Sequence, residues 1–173
     1  MPSPGADLLW WLDRADVSAR PHPDSPSPSA HRSRGDVSER SISSVWPILH
    51  YDDTRAALRY LADVFGFRAA VAAEDEDGTV VHVELRWPGG GTLVFGSTKH
   101  TDSVHGHLKA GSNAVYVVTD DVDDVHARVV EAAGDVIKAP HVTDFGSGVR
   151  SRVFTARDPE GNMWTFGTYR GPP

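Results

Sequence analysis

One structural plan is written twice in this chain. Asp53 and Gly66 are 13 residues apart, and so are Asp121 and Gly134, 68 residues later. Each opens on an Asp pair, Asp52-Asp53 or Asp120-Asp121, of the kind that caps a helix start. Apolar residues then recur at helical spacing: Ala57, Leu58, Leu61 and Phe65 in the first, Val122, Val125 and Val129 with Ala132 or Ala133 in the second. The glycine suits the position just past a helix end. A strand-like run precedes each helix, Val45–Tyr51 and Ala114–Thr119. A second feature also repeats, at an offset of 71: Trp87-Pro88-Gly89-Gly90 runs into Thr92–Ser97 as Asp158-Pro159-Glu160-Gly161 runs into Met163–Tyr169. Pro at the second position of a tight turn, Gly later and strand formers after it describe a hairpin. A repeat on this scale has to be settled before other assignments.

The segments between complete the plan. Phe67–Ala73 reads as a strand, Glu74–Gly78 as an acidic turn, and Thr79–Trp87 as an alternating strand. In it Val81, Val83, Leu85 and Trp87 share one face, and Val80, His82, Glu84 and Arg86 the other. In the second copy Val136–Val142 and Val149–Arg157 are strands and Thr143–Gly148 a loop. The expected class is α+β: two tandem βαβββ modules, residues 44–98 and 113–170, joined by a polar connection at 99–112. Residues 1–43 read as a Pro/Ser-rich disordered tail, because six of the chain's twelve prolines fall before residue 29. Within it, Leu8–Leu12 is a candidate sticky turn.

Composition narrows the partners. A formal net charge of −7 disfavours nucleic acid or an anionic membrane, both of which need clustered Lys and Arg. The absence of cysteine excludes disulfides, thiolate metal sites and Cys nucleophiles, and makes a cytoplasmic setting the plain expectation. No apolar run approaches membrane-spanning length, and Leu8–Leu12 lacks the features of a signal peptide.

A duplicated βαβββ unit resembles the vicinal oxygen chelate superfamily, which holds glyoxalase I, extradiol dioxygenases, fosfomycin-modifying enzymes and bleomycin resistance proteins. The residues carrying the resemblance are Asp53–Gly66 with Phe65-Gly66-Phe67, His82-Val83-Glu84-Leu85, and Asp158–Tyr169. The resemblance implies cup-shaped mixed sheets with helices outside, and a homodimer. It also implies a divalent metal, held by a side chain on the first strand and a Glu on the fourth strand of each module, that stabilises an oxyanion. Those positions fall here on Trp46, Val94, Ala114 and Thr165, none of which is a usual metal ligand. A one-residue shift does not help, since no Asp or Glu lies between Arg86 and Thr101 and none follows Asn162. The expectation is therefore no metal and no other cofactor.

Residues in phase with the lost ligand positions should line a pocket. The candidates for ligand binding are Trp46, Ile48, His50, His82, Glu84, Val94, Tyr116, Met163 and Thr165. This set is apolar and aromatic with a few polar anchors, as a small-molecule site needs. His82 and Glu84 share a strand face and are the weak candidates for acid–base catalysis, against a purely structural pairing. His105-Gly106-His107 with nearby His100 could clip a metal, but a solvated loop is the preferred reading. Trp164 and Phe166 are out of phase with Thr165 and belong in the core; Asp158 and Asn162 are turn residues.

The leading expectation is a metal-free small-molecule-binding protein of the bleomycin-resistance kind, sequestering an antibiotic or metabolite. The rivals are a lyase or isomerase using His82 and Glu84 without metal, and a regulatory or interaction module.

Overall fold

Both Asp-to-Gly stretches are helical, and each joins a four-stranded sheet of the same topology. The computed structural model describes residues 44–99, 104, 107–146 and 148–172. The 1–43 tail with Leu8–Leu12, and His100 and His105 of the histidine cluster, lie outside the described residues. The first module runs β1 (Ile48–Tyr51), α1 (Thr54–Tyr60, continued by a π turn over Leu61–Phe65), β2 (Arg68–Glu74), β3 (Val80–Arg86) and β4 (Thr92–Ser97). The second runs β5 (Ala114–Val118), α2 (Val122–Glu131), β6 (Asp135–Thr143), β7 (Ser151–Arg157) and β8 (Met163–Gly167). The sheet orders are β1-β4-β3-β2 and β5-β8-β7-β6. In each sheet the first and last strands of the module run parallel and the other neighbours antiparallel. The α+β class with tandem βαβββ modules is thus the observed architecture.

The repeated turns are alike in hydrogen bonding. Trp87 N donates to Gly91 O and Gly90 N to Trp87 O, while Asp158 N donates to Asn162 O and Gly161 N to Asp158 O. Gly90 and Gly161 sit at φ 105° and 99°, a conformation that a side chain would strain.

The helix ends differ from expectation in two places. Asp53 caps α1 through its side chain, which accepts from Ala56 N, but Asp121 makes no such bond at α2. Instead Asp121 N donates to Thr119 Oγ1. The left-handed residue after α2 is Ala133, at φ 52°, rather than Gly134. Gly134 is required for room: a Cβ there would lie 2.5 Å from the Tyr60 hydroxyl and 2.9 Å from a Val129 methyl.

One core serves both modules. Leu49, Tyr51, Val83, Leu85 and Phe95 from the first sheet join Val117, Phe154, Ala156, Trp164 and Phe166 from the second. Phe65 and Phe67 carry the contact, with ring centroids 5.3 and 5.6 Å from that of Trp164. Such ring pairs add about 0.5–1.5 kcal/mol each beyond their area burial. Trp164 and Phe166 are fully buried, as their phase requires. Arg128 of α2 donates to the carbonyls of Val64 and Phe65, satisfying acceptors that the end of α1 leaves open.

Candidate functional site

Because the core takes one face of each sheet, period-two alternation sends the intervening residues to the opposite, helix-free face. On the first sheet two rows cross the strands. One is Ile48, Val94, Glu84 and Val71; the other is His50, Gly96, His82 and Ala73. Trp46, two residues before Ile48, lies just ahead of β1 and is 42% exposed. On the second sheet the rows are Ala114, Met163, Arg157 and Asp135; Tyr116, Thr165, Thr155 and Lys138; and Val118, Gly167, Val153 and His141. The nine ligand-binding candidates therefore divide. Ile48, His50, His82, Glu84 and Val94 belong to the first sheet, with Trp46 just ahead of it, and Tyr116, Met163 and Thr165 to the second.

The first face carries one polar pair. His82 Nε2 lies 3.2 Å from Glu84 Oε1, with both side chains about four-fifths covered. His50 is buried on the same face, one strand beyond Gly96. The glycine leaves the space between the two histidine strands without a side chain. An imidazole beside a carboxylate can relay a proton, so the chemistry permits acid–base work at this point.

The second face carries aromatic rings and hydroxyls. The Tyr116 and Phe145 rings meet edge to face at 6.1 Å, and Phe145 also contacts Tyr169 at 5.7 Å. The Tyr116 hydroxyl accepts from Tyr169 N, and burial raises its pKa above the ordinary tyrosine value. Thr155 Oγ1 and Thr165 Oγ1 are hydrogen-bonded at 3.0 Å. Thr155, Phe145 and Tyr169 did not stand out in the sequence. Thr155 was within reach of it, because a hairpin in which Asp158 faces Asn162 also sets Thr155 opposite Thr165. Phe145 was not, since its loop has no periodicity.

Two cavities lie where the modules meet. The larger, about 370 Å³, is bordered by Gly66, Trp87, Asp121, Asp124, Arg128 and Arg170. The smaller, about 210 Å³, is bordered by Val45, Pro47, Phe67, Trp87, Leu93 and Tyr116 among others. Of the nine candidates Tyr116 lines the smaller one. Trp87 borders both, its indole N–H donating to Val118 O across the module boundary.

The Asp158–Asn162 turn is a structural clamp. The Asp158 carboxylate is buried and accepts from Tyr51 Oη (2.7 Å), Asn162 Nδ2 (2.9 Å), Trp164 Nε1 (3.0 Å) and the backbone N–H groups of Glu160 and Asn162. Glu160 accepts from Asp52 N and Asp53 N at 2.7 and 2.8 Å. Asn162 Oδ1 takes both the backbone and side-chain N–H of Asn113. Every donor is internal, so the motif ties module to module.

Fit to a metal was tested on the donor set. Val94 lies on the helix-free face of the first sheet with Trp46 just ahead of β1, while Ala114 and Thr165 share that of the second. Their atoms include no imidazole, carboxylate or thiolate. Among the described residues no group of three or more His, Cys, Asp or Glu could hold a metal ion. Among the described residues no helix is long and apolar enough to cross a membrane.

A family model described as the Glyoxalase/Bleomycin resistance protein/Dioxygenase superfamily matches residues 45–166. Similar solved structures include TioX from Micromonospora sp. ML1, with 30% identity and a TM-score of 0.58 over 72% of this chain and 97% of that one. A glyoxalase/bleomycin resistance protein from Streptomyces sp. CB03234 is 24% identical, with a TM-score of 0.54 over 72% and 98%. Virulence protein STM3117 from Salmonella typhimurium, 18% identical with a TM-score of 0.57 over 74% and 98%, shares the fold. Among curated proteins none matches the chain.

Proposed function

The chain belongs to the glyoxalase/bleomycin resistance protein/dioxygenase superfamily, and on that premise we propose that it captures an organic small molecule without a metal and without transforming it. The observation that carries this reading is the chemistry of four positions. Where the superfamily's enzymes need metal donors, this chain has Trp46, Val94, Ala114 and Thr165. A Lewis acid that polarises vicinal oxygens cannot be anchored by indole and aliphatic groups. What those positions offer is apolar surface beside a few hydrogen-bonding groups, and that suits binding. Bleomycin resistance proteins, which sequester their drug, are the functional model.

The working unit in this proposal is a cytoplasmic homodimer with no nucleic-acid or membrane partner. The helix-free faces expose Trp46, Ile48 and Val71 on one sheet and Tyr116, Val118 and Met163 on the other, and a second copy would turn open faces into enclosed ones.

One observation favours a second reading. The His82–Glu84 pair is formed and largely covered, which supports a metal-free lyase or isomerase with Glu84 or His82 as base. A thermal-shift panel of aromatic drugs and metabolites, run beside elemental analysis of the purified protein, separates these. Capture predicts hits that return chemically unchanged and are retained in a Glu84→Gln variant. Turnover abolished by Glu84→Gln supports the enzyme instead. Stoichiometric zinc, nickel, manganese or iron, with glyoxalase activity, overturns both. A broad panel without a single stabilising compound overturns capture.

A further inference from the structure

The helix-free face of the second sheet carries more than an apolar surface. Its central row reads Tyr116, Thr165, Thr155, Lys138 across β5, β8, β7 and β6. Directly opposed residues point to the same side of a sheet, so Tyr116, Thr165 and Thr155 stand in line, and Lys138 lies opposite Thr155 between two register shifts of β6. At about 4.8 Å per strand the row spans roughly 14 Å.

Each part of the row has a defined chemistry. At one end Tyr116 is held down. Its hydroxyl lies against Gly167, where a Cβ would collide with it, and accepts from Tyr169 N. Accepting through a lone pair leaves the hydroxyl proton free to donate. In the middle, the Thr155 and Thr165 hydroxyls bond each other. Whichever donates, the other keeps its own proton, and both keep lone pairs. At the far end Lys138 is exposed and has no ion-pair partner among the described residues. The other charged pair on this face, Arg157 with Asp135 at 3.1 Å, is self-neutralised.

At the Tyr116 end of this row stands Phe145. It is 51% exposed, and its backbone has φ 50°, a conformation that strains a residue other than glycine. Asp144 Oδ1 accepts from Gly146 N and braces the turn. A large apolar ring kept half in solvent on a strained backbone needs a reason beyond packing. Its contacts are the rings of Tyr116 and Tyr169.

We propose that this row is the binding site of a planar aromatic acid: the arene packs on the Tyr116–Phe145 ring pair, its ring oxygens or nitrogens meet the Thr155 and Thr165 hydroxyls, and its carboxylate or phenolate faces Lys138. This rests on the capture reading above and adds a ligand class, a charge and three residues, Phe145, Thr155 and Lys138, to it. The net charge of −7 is a property of the whole chain, whereas Lys138 puts a positive charge at the end of the row.

Three naphthalene probes differing in charge test it on the full-length protein. They are 2-naphthoate, 2-naphthamide and 2-naphthylmethylammonium, titrated by fluorescence with NMR shifts mapped onto Thr155 and Thr165. The expected order is naphthoate, then the amide, then the ammonium. Lys138→Met weakens naphthoate roughly fivefold and leaves the amide unchanged, as an exposed ion pair implies. Phe145→Ala weakens naphthoate and amide alike, also roughly fivefold, while both variants keep the wild-type melting temperature because both sites are exposed. Ammonium binding as tight as naphthoate, or indifference of naphthoate to Lys138→Met, overturns the aromatic-acid inference and leaves capture standing. No binding of any probe overturns it too, while capture is judged by the wider panel. A Phe145→Ala variant that changes oligomer size but not probe affinity overturns it in favour of a protein occupant.

Discussion

Tyr51 and Asp158 show how one residue pair joins two halves of a chain. Tyr51 is fully buried and donates to a buried carboxylate that already accepts from four other N–H groups. Burial, and then the Asp158 charge, push the tyrosine pKa far above its ordinary value. The folded state therefore holds the Tyr51 proton more tightly than the unfolded chain does. Its contribution is complete below the unfolded value of about 10 and is lost as pH rises beyond it. Chemical denaturation followed from pH 7 to 11 should show stability falling above about pH 10. Tyr51→Phe should flatten that fall and cost about 1.5–3 kcal/mol at pH 7, the worth of a hydrogen bond to a charged group. An unchanged pH slope in the variant would remove Tyr51 from the account.

At the scale of elements, the junction of α1 with α2 depends on a glycine for a steric reason. The Tyr60 hydroxyl is buried without a hydrogen-bond partner among the described residues and sits where a Gly134 side chain would go. Gly134→Ala should destabilise by about 1–3 kcal/mol through overpacking. Tyr60→Phe alone should be neutral or stabilising, because it deletes an unsatisfied polar group. The double variant should recover only part of the loss, since the Val129 methyl and carbonyl remain in the way. Melting temperatures of the four proteins measure this. The same junction shows where reading the chain succeeds and fails. Val122, Val125 and Val129 are buried as their spacing requires. The left-handed turn falls one residue earlier than the glycine suggests, on Ala133. Local propensity favours glycine at a left-handed position, but the approach of Tyr60 is a tertiary event that spacing cannot reveal.

Across the whole molecule, the shared core and the clamp make the two modules one folding unit. Phe65 and Phe67 reach Trp164, Arg128 reaches the end of α1, and Glu160 receives Asp52 N and Asp53 N. Urea unfolding followed by Trp fluorescence and by far-UV dichroism should give coincident single transitions. Glu160→Ala should shift both midpoints down together, by about 1 kcal/mol or more. Two separated transitions would show modules that fold alone.

The amino-acid sequence by itself determined the tandem βαβββ plan, the helix-facing core of both sheets, the hairpin turns and the lack of metal donors at Trp46, Val94, Ala114 and Thr165. Those are properties of spacing and side-chain chemistry, and both are written locally. Only the tertiary structure decided that Asp158 is the hub of a clamp, that the nine candidate residues divide between two sheets, and that Phe145 and Lys138 join Tyr116, Thr155 and Thr165 along one row. Each of those depends on strand register and module packing, which bring together residues far apart in the chain and leave no periodic trace within it.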